Sequence, residues 1–265
     1  MKKKAYVIGK EISKSMSPTI FNYWFKKYNI AATYEIIETD VTNLERDTKK
    51  LLNDPKTCGF NVTIPFKEMV SSLIDTSDLH SQKIGAINCI SRKKNKWTGM
   101  NTDWSGFVSC VNKKNLLSKK TAVVMGYGGA SKAVVYGLQK MGFKKIKIFN
   151  RSFEKIKHLE NKKGILVGDI SQAQNHYENV ELIINTIPIN VLDKGVQQLT
   201  EPSPYGFDIV YTPKETDFLS FFKKNKQIYG IDMLVYQAIP CFKEWFGIEP
   251  SPDKELFKIL DKKIK

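Results

Sequence analysis

The sequence predicts an α/β fold with mostly parallel sheets, arranged as two consecutive units. Three observations predict it. Short apolar runs alternate with stretches of helical spacing from Ala5 to the region of Gly99. A β-prone run over residues 121–125 passes straight into a glycine turn, Gly126-Tyr127-Gly128-Gly129-Ala130, and then into a helical pattern. The chain closes with apolar residues at helical spacing from Met233 onward. Strands that alternate with helices are joined by crossovers, and crossovers make neighbouring strands parallel.

The elements follow in order. Residues 5–8 read as the first strand. A helix is expected over residues 18–28, with Ser17 as N-cap and Pro18 at the first helical position, where its missing N–H is not needed. Residues 33–37 read as the second strand and 44–52 as the second helix. The third strand, residues 59–63, enters a turn at Pro65 and then another helix. Residues 86–91 and 96–98 read as a hairpin around Lys93-Lys94-Asn95. A second unit is expected from Trp104. There, the strand at 121–125 is followed by a helix over 131–141, closed by Gly142, and by a strand over 145–150. Further strands are expected at 182–186 and 207–210.

Composition narrows the partners. The 265 residues are 42% hydrophobic and 26% charged, which suits a soluble globular protein with room for two cores. No apolar run approaches the roughly 18 residues of a membrane span. After Met1-Lys2-Lys3-Lys4 the apolar stretch stops at Gly9, too soon for a signal peptide, so a cytoplasmic location is expected. Cys58, Cys89, Cys110 and Cys241 are scattered, and His80, His158 and His176 do not cluster with them, so reduced thiols and no metal site are expected. The net charge is +15, yet only Arg46, Arg92 and Arg151 among the 42 basic residues are arginine. Base readout and phosphate clamping favour arginine, so a dispersed lysine coat argues against a nucleic-acid partner.

The glycine turn carries the first functional reading. A turn of this kind between strand and helix brings backbone N–H groups and the helix N-terminus to a pyrophosphate. Gly126, Gly128 and Gly129 stand there, with Tyr127 and Ala130 in the turn. A tight βα turn without ligand is the plainer reading. The end of the next strand discriminates between dinucleotides. A carboxylate at that point bonds the ribose 2′-hydroxyl of NAD and repels a 2′-phosphate. This chain has Asn150-Arg151-Ser152 instead, with Lys155 one turn further on. Arg151 can stack on adenine and hydrogen-bond the phosphate, so NADP(H) in a Rossmann-type unit is expected.

The first unit holds polar clusters at expected strand ends. Ser15-Met16-Ser17-Pro18 sets two hydroxyls at a helix N-terminus, which suits a carboxylate. Asn61-Val62-Thr63-Ile64-Pro65-Phe66-Lys67 places Thr63 and Lys67 just past a strand. Gly85-Ala86-Ile87-Asn88 offers an amide, and Gly99-Met100-Asn101-Thr102-Asp103 a carboxylate. Each alone is better explained by a cap, a turn or a surface charge. Together, ahead of a dinucleotide turn, they outline a pocket for a small polyol carboxylate.

At these residues the chain resembles the shikimate dehydrogenase family, almost end to end. The resemblance includes Asp208-Ile209-Val210-Tyr211-Thr212-Pro213 and Met233-Leu234-Val235-Tyr236-Gln237-Ala238, with Trp245 beyond. It implies a substrate and catalytic domain, residues 1–103 with 231–265, whose C-terminal helices return to it. It also implies an NADP-binding domain, residues 104–230, with the active site in the cleft. By the same resemblance Ser15 and Ser17 bind the substrate carboxylate, while Thr63, Asn88, Asp103 and Gln237 hold ring hydroxyls. Tyr211 lies near the pocket, Lys67 and Asp103 form the catalytic pair, and Thr186, Ile209 and Gly230 join the cofactor residues. The implied reaction is the reversible reduction of 3-dehydroshikimate to shikimate with NADPH, on the route to chorismate and aromatic amino acids. Shikimate and 3-dehydroshikimate are then the partners, and the chain a monomer or homodimer. The chemistry agrees, since hydride arriving at a carbonyl creates an alkoxide that a Lys beside an Asp can protonate.

Three positions depart from the family pattern. Cys89 replaces the threonine common after the asparagine of Gly85–Asn88, Asp232 stands where glycine is common, and Asn190 follows a segment that often carries glycine. The nearest alternative is a paralogue acting on quinate as well as shikimate, possibly with NAD. A catalytically silent dinucleotide sensor is a third reading, disfavoured by the intact Lys67 and Asp103.

Overall fold

The computed structural model describes residues 2–114, 116, 120–188 and 203–264. The chain divides into two compact units, Met1–Asp103 with Leu234–Leu260, and Trp104–Met233 with Asp261–Lys265.

The first unit contains strands β1 (Lys3–Gly9), β2 (Ala32–Glu38), β3 (Thr57–Val62), β4 (Thr76–Ser77), β5 (Cys89–Lys93) and β6 (Lys96–Met100). Its early helices are α1 (Ser17–Lys27), α2 (Leu44–Asn53) and α3 (Leu79–Ile84). The sheet order is β2-β1-β3-β5-β6-β4. Parallel pairs predominate, and β5 is antiparallel to both β3 and β6. The hairpin turns through Lys94 and Asn95, both at positive φ, which matches the right-handed twist of the flanking strands.

Two local expectations are corrected. The N-cap of α1 is Met16, not Ser17, and the Ser15 hydroxyl accepts the Ser17 N–H at 3.3 Å. Ser17 is thus already inside the helix, because Ser15 supplies the acceptor. After Pro65 no α-helix forms. The N–H groups of Met69 and Val70 turn back onto the Phe66 carbonyl, and only a short 3-10 turn, Val70–Leu73, follows.

The second unit contains α4 (Asp103–Asn112), β7 (Thr121–Met125), α5 (Gly129–Lys140), β8 (Lys145–Asn150), β9 (Ile165–Asp169), β10 (Leu182–Asn185), β11 (Tyr205–Asp208), α6 (Asp217–Ser220) and β12 (Gln227–Tyr229). All its strand pairs are parallel, in the order β12-β11-β10-β7-β8-β9. The strand order reverses direction at β7 and β10, the point where open α/β sheets bind ligands. No α-helix follows Asn150-Arg151-Ser152. Two short 3-10 turns, Phe153–Lys155 and Lys157–Leu159, stand there.

The chain then forms α7 (Gly230–Phe246) and α8 (Lys254–Lys263). From Leu234, α7 belongs to the first unit, and it buries Val235, Ala238, Cys241, Phe242 and Trp245. Phe242 lies against Phe21, Trp24 and Phe25 of α1, and the Trp245 Nε1 donates to the Ile90 carbonyl at 3.0 Å. Gly59 makes this docking possible: a Cβ there would meet the Trp245 indole and lie 2.5 Å from the Ile90 oxygen. Thus a glycine in β3 fixes where α7, and Gln237 upon it, can sit.

Candidate active site

Strand register collects the first unit's candidate side chains at one edge of its sheet. Ile8 pairs with Val62, Asn61 with Cys89, and Cys89 with Met100. The ends of β1, β3 and β6 and the start of β5 therefore lie side by side. Ser15 and Ser17 follow β1, Thr63 and Lys67 follow β3, Asn88 precedes β5, and Asp103 follows β6. The Ile87 N–H donates to the Lys67 carbonyl at 2.7 Å, tying the two middle segments together.

At that edge Lys67 and Asp103 form an ion pair, Nζ to Oδ2 at 2.6 Å, with side chains only 14% and 7% exposed. The other carboxylate oxygen accepts from Asn88 Nδ2 at 2.7 Å. Asn88 is itself fixed: the Thr102 N–H donates to its Oδ1 at 2.7 Å, and its Nδ2 also reaches Thr102 Oγ1 at 2.9 Å and Gln237 Oε1 at 3.1 Å. The Gln237 Nε2 donates to the Leu234 carbonyl at 2.9 Å, which turns its amide oxygen toward Asn88. A buried ion pair needs further hydrogen bonds to stand, and here Asn88 supplies one to the Asp103 carboxylate. Lys67, Asn88, Asp103 and Gln237 are thus one bonded group. Ser15 and Ser17 lie apart from it at the start of α1, joined by the Ser17 N–H to the Ser15 hydroxyl, and the Thr63 methyl group packs over Gly9.

The second unit shows the same economy of placement. Asn185 pairs with Met125 and with Asp208, Phe149 pairs with Met125, and Asp208 pairs with Tyr229. Gly126, Asn150, Thr186, Ile209 and Gly230 each immediately follow one of these paired residues, so they line one edge in the order of the strands. Arg151, Ser152 and Lys155 continue from Asn150, with Arg151 and Lys155 exposed. Tyr127, Gly128, Gly129 and Ala130 continue from Gly126 into α5. Gly126 has φ +97, and a Cβ there would lie 2.6 Å from Thr186 Oγ1 and from the Ile187 side chain. The turn thus closes tightly against Thr186, whose hydroxyl donates to the Met125 carbonyl at 2.6 Å. Gly128 is the N-cap of α5 with no side-chain cap, and a Cβ there would meet nothing within 4 Å. Tyr211 also belongs to this unit and is half-buried.

Two family models match this chain: one described as the shikimate dehydrogenase substrate binding domain, over residues 7–90, and one described as shikimate / quinate 5-dehydrogenase, over residues 110–195. The NADP(+) shikimate dehydrogenase of Pelagibacter ubique is 34% identical over 98% of this chain and 100% of its own length. The chain belongs to the shikimate dehydrogenase family. The enzyme of that name from Caldicellulosiruptor saccharolyticus is 32% identical, over 99% of this chain and all of its own. The solved shikimate dehydrogenase of Aquifex aeolicus matches with a TM-score of 0.83 at 30% identity, covering 100% of this chain and 98% of that one. Quinate dehydrogenase from Corynebacterium glutamicum shares the fold, with a TM-score of 0.84 at 20% identity over 99% of this chain and 98% of that one.

In this shikimate dehydrogenase family member the polar group at the first edge is larger than the motifs suggest. Thr102 is buried beside Asn88, Gln237 and Cys241, its Oγ1 at 3.3 Å from the Gln237 amide oxygen and from the Cys241 sulfur. Asn61 donates through Nδ2 to the Asn88 carbonyl at 2.9 Å and to Cys241 at 3.3 Å, and accepts from the Tyr34 hydroxyl at 2.7 Å. The motif spacing marks Asn61 and Thr102, but nothing in the sequence points to Tyr34 or Cys241. The Cys89 departure has a structural setting: its thiol is fully buried, with Cys241 as its neighbour. Burial first and that neighbour second push its pKa well up. The Asp232 departure leaves a half-buried carboxylate whose pKa is raised by desolvation, opposed by Lys214, Lys113 and Lys114. Asn190 lies outside the described residues.

Proposed function

We propose that this chain catalyses the reversible reduction of 3-dehydroshikimate to shikimate with NADPH, using Lys67 as the proton donor. The buried Lys67–Asp103 pair, locked by Asn88, is the observation that carries this reading. Buried ion pairs are often no more stabilising than apolar residues of similar volume, so stability alone does not account for this one. The need to protonate an alkoxide does account for it.

The residues of the second unit fit NADP. The space beside Gly128, the uncapped N-terminus of α5 and the absence of a carboxylate in Asn150-Arg151-Ser152 suit a pyrophosphate and a 2′-phosphate. Arg151 and Lys155 are the residues that would hold the 2′-phosphate. When bound, the reduced nicotinamide supplies a hydride to the substrate carbon. Lys67 then transfers a proton from Nζ to the substrate oxygen, which becomes the hydroxyl, and the amine regains its proton from solvent. Asp103 holds Nζ in place and accepts a hydrogen bond from the substrate. Asn88 and Gln237 orient the remaining hydroxyls, and Ser15 and Ser17 receive the carboxylate. Thr63 and Tyr211 complete the contacts. In this reading residues 1–103 with 231–265 form the substrate domain and 104–230 the cofactor domain. No described helix is long and apolar enough to cross a membrane. The reading takes the enzyme as cytoplasmic and as a monomer or homodimer.

The test is to mix the protein with 3-dehydroshikimate and NADPH, follow the NADPH absorbance, and identify the product by mass. Loss of absorbance matched by shikimate formation is expected. An unchanged mixture at high protein concentration would remove the reading.

A further inference from the structure

The segment Asp208–Pro213 opens with a carboxylate that the proposed chemistry does not use. Asp208 ends β11 and is buried. One of its carboxylate oxygens accepts from the Asn185 Nδ2 at 3.1 Å and from the Val210 N–H at 3.0 Å. The other accepts from the Thr216 hydroxyl at 2.6 Å. That hydroxyl is the N-cap of α6 and itself accepts from the Leu219 N–H at 3.3 Å, so its single proton goes to Asp208. Burial raises the Asp208 pKa, and the three hydrogen bonds oppose that rise.

Burying a charge is costly, and a neutral acceptor could serve Val210 and Thr216 as well. What the carboxylate adds is control of Asn185. An ionised carboxylate accepts and cannot donate, so the Asn185 amide must turn its Nδ2 toward it. The same Nδ2 reaches the Ile187 carbonyl at 3.0 Å, and Oδ1 accepts the Ile187 N–H at 3.3 Å. The amide therefore grips the backbone of Ile187 at two points. Flipped, it would set its oxygen against the carboxylate and lose both bonds.

The Ile187 side chain and the Thr186 hydroxyl would each lie 2.6 Å from a Cβ at Gly126, so this segment forms one wall of the glycine turn. Sheet order gives that wall its use. Asn150-Arg151-Ser152 follows β8 on one side of β7, while Thr186 and Ile187 follow β10 on the other. A dinucleotide with its 2′-phosphate end at β8 and its pyrophosphate at the turn carries its nicotinamide toward β10.

We infer that Asp208 is a positioning residue for the nicotinamide half of the dinucleotide, acting through the Asn185 amide on Thr186 and Ile187. This rests on the cofactor reading of the second unit. It differs from the part given to Arg151 and Lys155, which meet the opposite end of the molecule.

Calorimetry compares NADPH with adenosine 2′,5′-bisphosphate, which carries the 2′-phosphate end and no nicotinamide. The proteins are wild type, Asp208→Asn, Asn185→Ala and the double variant. Asparagine fills the space of aspartate but offers a donor as well as an acceptor, so it no longer dictates the Asn185 amide. One charge-assisted hydrogen bond corresponds to roughly a tenfold change in affinity. D208N is expected to weaken NADPH by about that factor and to leave the bisphosphate unchanged. N185A should weaken NADPH as much, and the double variant no more than N185A alone, because Asp208 acts through the amide that is gone. KM for NADP should rise in step, with KM for shikimate unmoved. Equal loss of both ligands in D208N would make Asp208 a support of the whole unit, and additive losses in the double variant would show that it does not act through Asn185. Either result overturns the inference, as does unchanged NADPH affinity in D208N. Should N185A fail to fold, the contrast between the two ligands in D208N still decides. Failure of wild-type protein to bind NADPH would overturn the cofactor reading, and this inference with it.

Discussion

Replacing Lys67 with methionine separates chemistry from structure. Methionine keeps most of the stem volume and removes the ammonium. The rate consequence follows from the proton that Lys67 delivers. A positioned general acid contributes about 10²–10⁴-fold, or roughly 3–5 kcal/mol of barrier. The stability consequence follows from burial. Asp103 is 7% exposed in its side chain and loses a partner at 2.6 Å, but keeps Asn88 Nδ2 at 2.7 Å. Breaking one side of a buried pair costs about 3–5 kcal/mol, and the retained hydrogen bond puts this variant near the lower end. At roughly 2–4 °C per kcal/mol for a chain of this size, the melting temperature should fall by about 6–12 °C. Steady-state assays below that temperature should show kcat down by at least two orders of magnitude with KM for shikimate changed little. A folded K67M protein turning over within about threefold of wild type would refute the role given to Lys67.

Other consequences follow from the same geometry. Gly59→Ala places a Cβ against the Trp245 indole and 2.5 Å from the Ile90 oxygen, so α7 must shift. Overpacking of this kind costs about 1–3 kcal/mol, and KM for shikimate should rise because Gln237 moves with the helix. An unchanged melting curve would show that the helix does not rest on Gly59. Asp47 is held at a pKa of about 2 by the Arg46 guanidinium, against the desolvation that raises it, with Thr39 and Lys50 assisting. Its folded pKa is depressed, so its contribution, about 2 kcal/mol, is present above pH ~4 and lost as pH falls through about 2. Asp47→Asn should therefore lower the melting temperature at neutral pH, and the difference should vanish in strong acid. Asp232 is the opposite case. Its folded pKa is raised, so its favourable contribution exists only at low pH and is lost as pH rises through the folded value. Asp232→Asn should stabilise the protein at neutral pH and make no difference below the ordinary carboxylate range.

The sequence was most legible where a local rule decides the structure. Residues 121–125 and 145–150 match β7 and β8 to the residue, because β-branched runs bounded by glycine or polar residues leave one reading. The Lys94-Asn95 turn was legible for the same reason. What escaped was set by tertiary context. Ser17 has the chemistry of an N-cap, but Ser15 provides the acceptor. The segment after Pro65 folds onto Phe66 rather than into a helix. The short strands β4 and β9 carry too little periodicity to stand out. For the site, motif spacing marked Lys67, Asn88 and Asp103, while Gln237 reaches them across 149 positions of sequence from Asn88. Tyr34 and Cys241 were invisible, because a buried tyrosine in a strand and a cysteine in an apolar helix face look like core. Their roles come from Asn61, whose amide they bracket.

The most direct test of the central claim is the ratio of kcat/KM values for four pairings: shikimate or quinate, with NADP or NAD. The Lys67–Asp103 pair and the Asn150-Arg151-Ser152 segment, which has no carboxylate, lead to rapid NADPH formation from shikimate and NADP, with NAD at least tenfold poorer. A preference for NAD, or no turnover of shikimate with either dinucleotide, would contradict the account.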